Sequence, residues 1–156
     1  IKGCRMGNNR ARGLLLGSRA KTIVEDCYFH IPGAAILFEG DGYYWFEQAG
    51  VRDVIIRNNT FDNCNYGYFQ WGKACIATGN GPRENKLESR YNRNIVIENN
   101  LFRSFDPRIL NFVSTDSCLF VNNKIERTND YEYTREEQRP FVFDGCSNMD
   151  IRTEKQ

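Results

Sequence analysis

Residues 97–102 read IENNLF and residues 56–61 read IRNNTF. In each, an apolar residue opens the hexapeptide, a pair of asparagines interrupts it and an aromatic closes it. Related segments are IKGCRM from Ile1, VEDCYF from Val24, FVNNKI from Phe120 and a fading IRTEKQ from Ile151. The spacings along the chain are 23, 32, 41, 23 and 31 residues. A unit near 23 residues that recurs with insertions is the mark of a solenoid, in which each coil stacks on the last. The segments are short, β-branched and bounded by Asn, Asp and Gly, which favours strands, and no heptad or long helical period competes with them. The class expected is all-β, a parallel β-helix (β-solenoid) of about five to six coils.

Stacked coils predict columns of like side chains. One inward column is Ile1, Val24, Ile56, Ile97, Phe120 and Ile151. A second is Met6, Phe29, Phe61, Phe102 and Ile125. Between them runs a turn column of Cys4, Cys27, Asn59, Asn100 and Asn123. Asparagine suits a tight turn because its side chain bonds nearby backbone and tolerates a left-handed φ, and stacked on itself it forms an amide ladder. Cys4 and Cys27 are then small substitutes in the ladder, neighbours in adjacent coils, read as free thiols in preference to a disulfide.

Each coil carries another strand candidate: RGLLLGS from Arg12, AAILFEGD from Ala34, YGYFQWGK from Tyr66, RILNFVS from Arg108 and RPFVFDGC from Arg139. Aligning them sets Leu16, Glu39 and Trp71 in one column and Gly17, Gly40 and Gly72 in the next. Phe143-Asp144-Gly145 repeats the pattern of Phe38-Glu39-Gly40. Extra length falls near residues 42–49, 72–92 and 128–139, and insertions of this kind gather on binding faces. The last, TNDYEYTREEQR, is read as a solvated loop.

The chain of 156 residues is one domain by length, with 40% apolar residues and a net charge of +1. That charge leaves no basic footprint, so nucleic acid is not an expected partner. No apolar run reaches the roughly 20 residues of a membrane span. The first residue is not Met and lies mid-repeat, so the chain is read as part of a larger β-helix, and the lack of a signal peptide says nothing about export. Six cysteines show no CxxC pair, and with a single histidine zinc ligation is not expected. No GxGxxG, P-loop, HExxH or GxSxG is present, so neither a cofactor nor a metal is expected. An uncapped first coil exposes strand edges, which favours end-to-end association.

The chemistry is expected after the strand Ala35–Phe38. Glu39 and Asp41 stand two apart at its end, and paired carboxylates are what glycosidic cleavage requires. The aromatics Tyr43 to Phe46, Tyr44 and Trp45 among them, offer flat faces for a pyranose, with Glu47 beside them. Trp71, expected one coil on and close to Glu39, is a further stacking residue. Arg12, with Arg10 and Arg19, flanks the preceding coil and is placed to bind sugar hydroxyls or pair with the acids. His30 is read as a turn residue.

NRARGLLLGSR from Asn9 and PGAAILFEGDGYYWFEQAGVRDVIIRNNTFDNCNYG from Pro32, with the later IENN strand, resemble the α-1,3-galactosidases of glycoside hydrolase family 110. The resemblance is close over most of residues 8–67. It implies a bacterial enzyme, secreted or periplasmic, on a right-handed parallel β-helix. Such an enzyme removes terminal α-1,3-linked galactose from blood-group-B-like glycans, with inversion and without a cofactor. Glu39 and Asp41 match the family's acidic positions. The alternatives are another β-helix polysaccharide hydrolase or lyase, and a non-catalytic glycan-binding or structural module.

Overall fold

Two neighbouring asparagines divide the work of the turn. In the computed structural model, which describes residues 1–39, 49–79 and 81–153, Asn58, Asn99 and Asn122 take left-handed φ of 56°, 55° and 53°. Gly3 and Asp26 hold the same place in the first two coils, at 64° and 56°. The residues after them, Asn59, Asn100 and Asn123, are buried and make the ladder. The left-handed backbone thus belongs to the first residue of each pair, and the stacking amide to the second.

The ladder is continuous. Asn59 donates from its backbone N and Nδ2 to Asn100 Oδ1 at 2.9 and 3.0 Å. Asn100 donates likewise to Asn123 Oδ1, at 2.9 Å from both groups. The Nδ2 groups of Asn59, Asn100 and Asn123 also donate to the carbonyls of Val24, Ile56 and Ile97 at 3.0, 3.0 and 2.8 Å. Cys27 N donates to Asn59 Oδ1 at 2.9 Å, and Cys4 N approaches Cys27 Sγ at 3.5 Å. All six cysteines are free thiols. Burial pushes the Cys118 thiol up to about 12, and Cys75 is also raised, by burial first and by neighbouring Cys64 second.

In chain order the strands are β1 (Arg5–Gly7), β2 (Leu14–Leu16), β3 (Thr22–Glu25), β4 (Tyr28–His30) and β5 (Ile36–Phe38). Next come β6 (Arg52–Arg57), β7 (Thr60–Asp62), β8 (Ile76–Thr78), β9 (Asn92–Glu98) and β10 (Leu101–Ser104). The last are β11 (Leu110–Val113), β12 (Thr115–Arg127), β13 (Phe141–Asp144) and β14 (Ser147–Thr153). A 3-10 turn at Phe69–Trp71 and a short helix α1 (Lys86–Ser89) interrupt them.

The strands form three parallel stacks. One runs β3-β6-β9-β12-β14, the second β1-β4-β7-β10-β12 and the third β2-β5-β8-β11-β13. The long β12 joins the first two, pairing with β9 and β14 through its first half and with β10 through its second. Val24, Ile56, Ile97, Phe120 and Ile151 stand in register, as expected. So do Met6, Phe29, Phe61, Phe102 and Ile125. The rings of Phe29, Phe61 and Phe102 stack with centroids 5.0 and 4.7 Å apart. A buried phenylalanine contributes about 1.5–3 kcal/mol by leaving water, and such ring pairs add about 0.5–1.5 kcal/mol.

The third stack differs from the sequence expectation in one coil. Ile76, not a residue of Tyr66–Lys73, pairs with Ile36, and Thr78 pairs with Phe38. The stretch 72–92 is therefore not one loop, because β8 lies inside it. YGYFQWGK has the aromatic content of a strand, but its backbone makes the 3-10 turn and a bend at Gly72. The shorter apolar run Cys75–Thr78 supplies the pleat that fits against β5. The shift between β2 and β5 also corrects by one residue: Leu16 pairs with Phe38, which puts Gly17 in the Glu39 position.

Candidate functional site

Three edges connect the stacks. The asparagine turn is one. The segments leading into the third stack form an upstream edge, and those leaving it a downstream edge. Of the described residues expected to share one site, Glu39 lies on the downstream edge and Arg12 and Trp71 on the upstream one.

Glu39 stands on the downstream edge, immediately after β5. Its side chain lies across Gly79, which leaves β8 at the same level: a Cβ on Gly79 would come within 2.8 Å of Glu39 Oε1. The absent side chain is what gives the carboxylate its place. Continuing the register, Val113 and Asp144 follow in the same column. Asp144 is three rungs from Glu39, about 14 Å at the spacing of paired strands. It is also taken by Lys86, whose ammonium pairs with Asp144 Oδ2. Lys86 opens α1, and its carbonyl accepts from Ser114 Oγ at 2.5 Å, so the helix sits over the ends of β11 and β13.

Two arginines stand at the entry to β6. Arg19 Nη1 donates to Gly50 O at 3.4 Å. Arg52 stands in register with Arg93, and its Nε is buried without a hydrogen-bond partner. Arg52 was not singled out from the sequence, since one arginine in VRDVIIR carries no signal until its neighbours are placed. Asp41, Tyr44, Trp45 and Glu47 lie outside the described residues.

Trp71 and Arg12 are together, but on the upstream edge. Trp71 O accepts from Arg12 Nε at 3.1 Å and from Ala34 N at 3.2 Å. Arg10 lies over the Trp71 ring at 6.0 Å from its centroid. Ala34 precedes Glu39 by five residues of extended chain, about 17 Å. Trp71 therefore does not stack beside Glu39, and Arg12 does not pair with it. The misplacement follows from the missed strand: with β8 at Ile76–Thr78, Trp71 belongs to the segment before the stack. Gly33 permits the close approach there, since a Cβ on it would fall 2.4 Å from Ala11 O and 2.6 Å from Trp71 O.

The upstream edge also carries a cleft of about 560 Å³, between residues 65–69 and the loop at 131–136. The loop that reads as solvated is held down. Arg135 Nη2 donates to the carbonyls of Asn65 and Gly67 at 3.2 and 3.3 Å, and its Nη1 to Gly72 O at 3.4 Å. Beneath it, Asp106 and Arg108 form a buried two-point ion pair, with bonds of 2.9 and 2.6 Å. Tyr131 from the loop stacks on Tyr66 at 5.3 Å, and Tyr66 on His30 at 4.8 Å. His30 closes β4 and is not a turn residue; its Nδ1 lies 2.8 Å from Asp62 O. Arg103 bridges Asp62 and Asp130 at 2.7 and 3.3 Å, pinning the start of the loop. Burial pushes the Tyr66 and Tyr133 hydroxyls up, which keeps both protonated as donors. The sequence signal for this cleft was the Tyr-x-Tyr of the loop, masked by the charges around it.

Among the described residues, no group of three or more His, Cys, Asp or Glu is placed to hold a metal ion. Among them, no helix is long and apolar enough to cross a membrane.

No family model matches the chain. Curated relatives do. Over 95% of its length the chain is 40% identical to a protein of Akkermansia muciniphila named α-1,3-galactosidase B. Over 96% it is 40% identical to the α-1,3-galactosidase A of Shewanella woodyi, and over 99% it is 34% identical to the α-1,3-galactosidase B of Bacteroides thetaiotaomicron. The chain spans 19%, 24% and 25% of these three relatives. The resemblance read from its motifs thus extends over nearly the whole chain.

Proposed function

We propose that the chain is part of an exo-acting glycoside hydrolase that removes terminal α-1,3-linked galactose from glycans of blood-group-B type, with inversion, on a right-handed parallel β-helix. The observation that carries this reading is identity of 34–40% to proteins named α-1,3-galactosidase along almost all of the chain. The parallel stacks are consistent with the β-helix, and the glycan substrate is consistent with a secreted or periplasmic place in a bacterium.

In an inverting hydrolysis one carboxylic acid gives its proton to the glycosidic oxygen as that bond breaks. A carboxylate on the other side takes a proton from the water that bonds to the anomeric carbon. The two groups stand about 6.5–9.5 Å apart to leave room for that water. In this reading Glu39 and Asp41 are the paired carboxylates. Gly79 supports the assignment of Glu39, because it leaves room across the next coil for a carboxylate at the strand end.

The test is galactose release from Galα1-3Gal by the parent protein. Glu39→Gln or Asp41→Asn is expected to lower kcat by about 10²–10⁴-fold, the usual contribution of a positioned acid or base. Proton NMR of the first turnovers is expected to show β-galactose. Undiminished turnover in both variants would sink the assignment, and α-galactose as the first product would replace inversion with retention.

A further inference from the structure

Glu39 stands between two glycines. Leu16 pairs with Phe38, which sets Gly17 beside Glu39 on the preceding coil, and Phe38 pairs with Thr78, which sets Gly79 beside it on the next. The carboxylate leans onto Gly79. A Cβ there would come within 2.8 Å of Glu39 Oε1 and within 3.0 Å of both its Cδ and its Oε2.

The backbone does not ask for glycine at this position. Glycine is favoured where φ is left-handed, as at Gly3 and Gly145 with 64° and 61°, and Gly79 lies outside that region. Main-chain crowding does not ask for it either. At Gly50 a Cβ would fall 2.0 Å from Tyr91 O, a backbone atom that cannot step aside, so that glycine serves the closing of two coils. At Gly79 the nearest atoms all belong to one carboxylate.

The main chain at Gly79 is itself fixed. Gly79 N donates to Phe38 O at 2.9 Å, and Gly79 O accepts from Gly81 N at 3.0 Å. Thr78 before it is buried, and its Oγ1 accepts from Val113 N at 2.9 Å. An added methyl is therefore accommodated by the carboxylate, the tip of a side chain with rotatable bonds. The substitution costs little stability and displaces the acid.

Taking Glu39 as one of the catalytic carboxylates, the reading on which this rests, we propose that Gly79 is a positioning residue for the hydrolysis. Its bare Cα sets how far the Glu39 carboxylate reaches toward the next coil, and so where that group can exchange its proton with the substrate.

The test compares the parent protein with its Gly79→Ala, Glu39→Asp and doubly substituted variants on Galα1-3Gal. Gly79→Ala is expected to lower kcat by about 10–100-fold, the usual consequence of an ångström-scale misplacement, with KM and the urea unfolding midpoint little changed. Glu39→Asp withdraws the carboxylate by one methylene. The double variant is therefore expected to match or exceed Gly79→Ala in kcat, where independent effects would multiply the two losses. A kcat for Gly79→Ala within about twofold of wild type, or losses that multiply, would overturn the proposal even as Glu39→Gln abolishes turnover. Normal turnover in Glu39→Gln would instead remove the reading of Glu39 itself, and this proposal with it.

Discussion

Asn59 and Asn65 are six residues apart, and each is 2% exposed. Asn59 uses its whole amide: Nδ2 donates to Val24 O and Asn100 Oδ1, and Oδ1 accepts from Cys27 N. Asn65 uses none of its amide. Asn59 sits where every coil repeats the same geometry, so each amide finds its counterpart one rung away. Asn65 sits on the upstream edge, where the coils differ in length and no such counterpart arrives. Equal burial therefore hides opposite roles. One amide holds the coils together, and the other lies buried against Gly72 with its hydrogen bonds unmade.

Stability separates the two most sharply at Asn100, the middle of the ladder. Asn100→Ala removes the acceptor for Asn59 N and Nδ2 and a donor to Ile56 O. Leaving those buried groups unpaired is expected to cost about 2–4 kcal/mol, read as a lower midpoint in urea unfolding. At Asn65 the matching change is Asn65→Gly, which keeps the left-handed φ and deletes only the amide. Its cost is expected to be no more than about 1 kcal/mol, chiefly from the greater freedom of glycine in the unfolded chain. A loss at Asn65 as large as that at Asn100 would show that the two amides do the same work.

The smallest effect concerns the loop that closes the cleft. Arg139 donates to Glu137 from Nε at 2.8 Å, Nη2 at 2.6 Å and backbone N at 2.9 Å, and holds its carboxyl down at about 2, against an ordinary 4.5. A depressed carboxylate favours the folded form above its ordinary value, and that contribution fades as pH falls from 4.5 through about 2. Arg139→Gln is expected to return Glu137 toward 4.5 in a carboxyl NMR titration, with little change in the global unfolding midpoint. An unmoved titration would mean that the pair does not persist in solution.

The inward columns were legible in the sequence because the same side-chain type recurs at each coil and packs on its own kind. Val24, Ile56 and Ile97 needed no knowledge of the loops between them. The third stack was harder. YGYFQWGK carries the rings that usually mark strands, while the true strand is the three residues Ile76–Thr78, and a variable insertion precedes it. That single slip carried Trp71 to the wrong end of β5. Glu39 at a strand end was readable, because a glycine or acid recurs there in several coils. The cleft was not readable, since its walls come from residues some 65 apart, and the loop's charges look solvated until Arg135 is seen folded onto backbone carbonyls.

The parallel stacks have a dynamic consequence. Each rung is held by the rungs on either side, so the molecule behaves as a row of linked units more than as a body with one centre. Val24, Ile56 and Ile97 are fully buried and stand in register with one another. Opening any of these rungs parts it from its neighbours, so their amides are expected to exchange slowly with solvent.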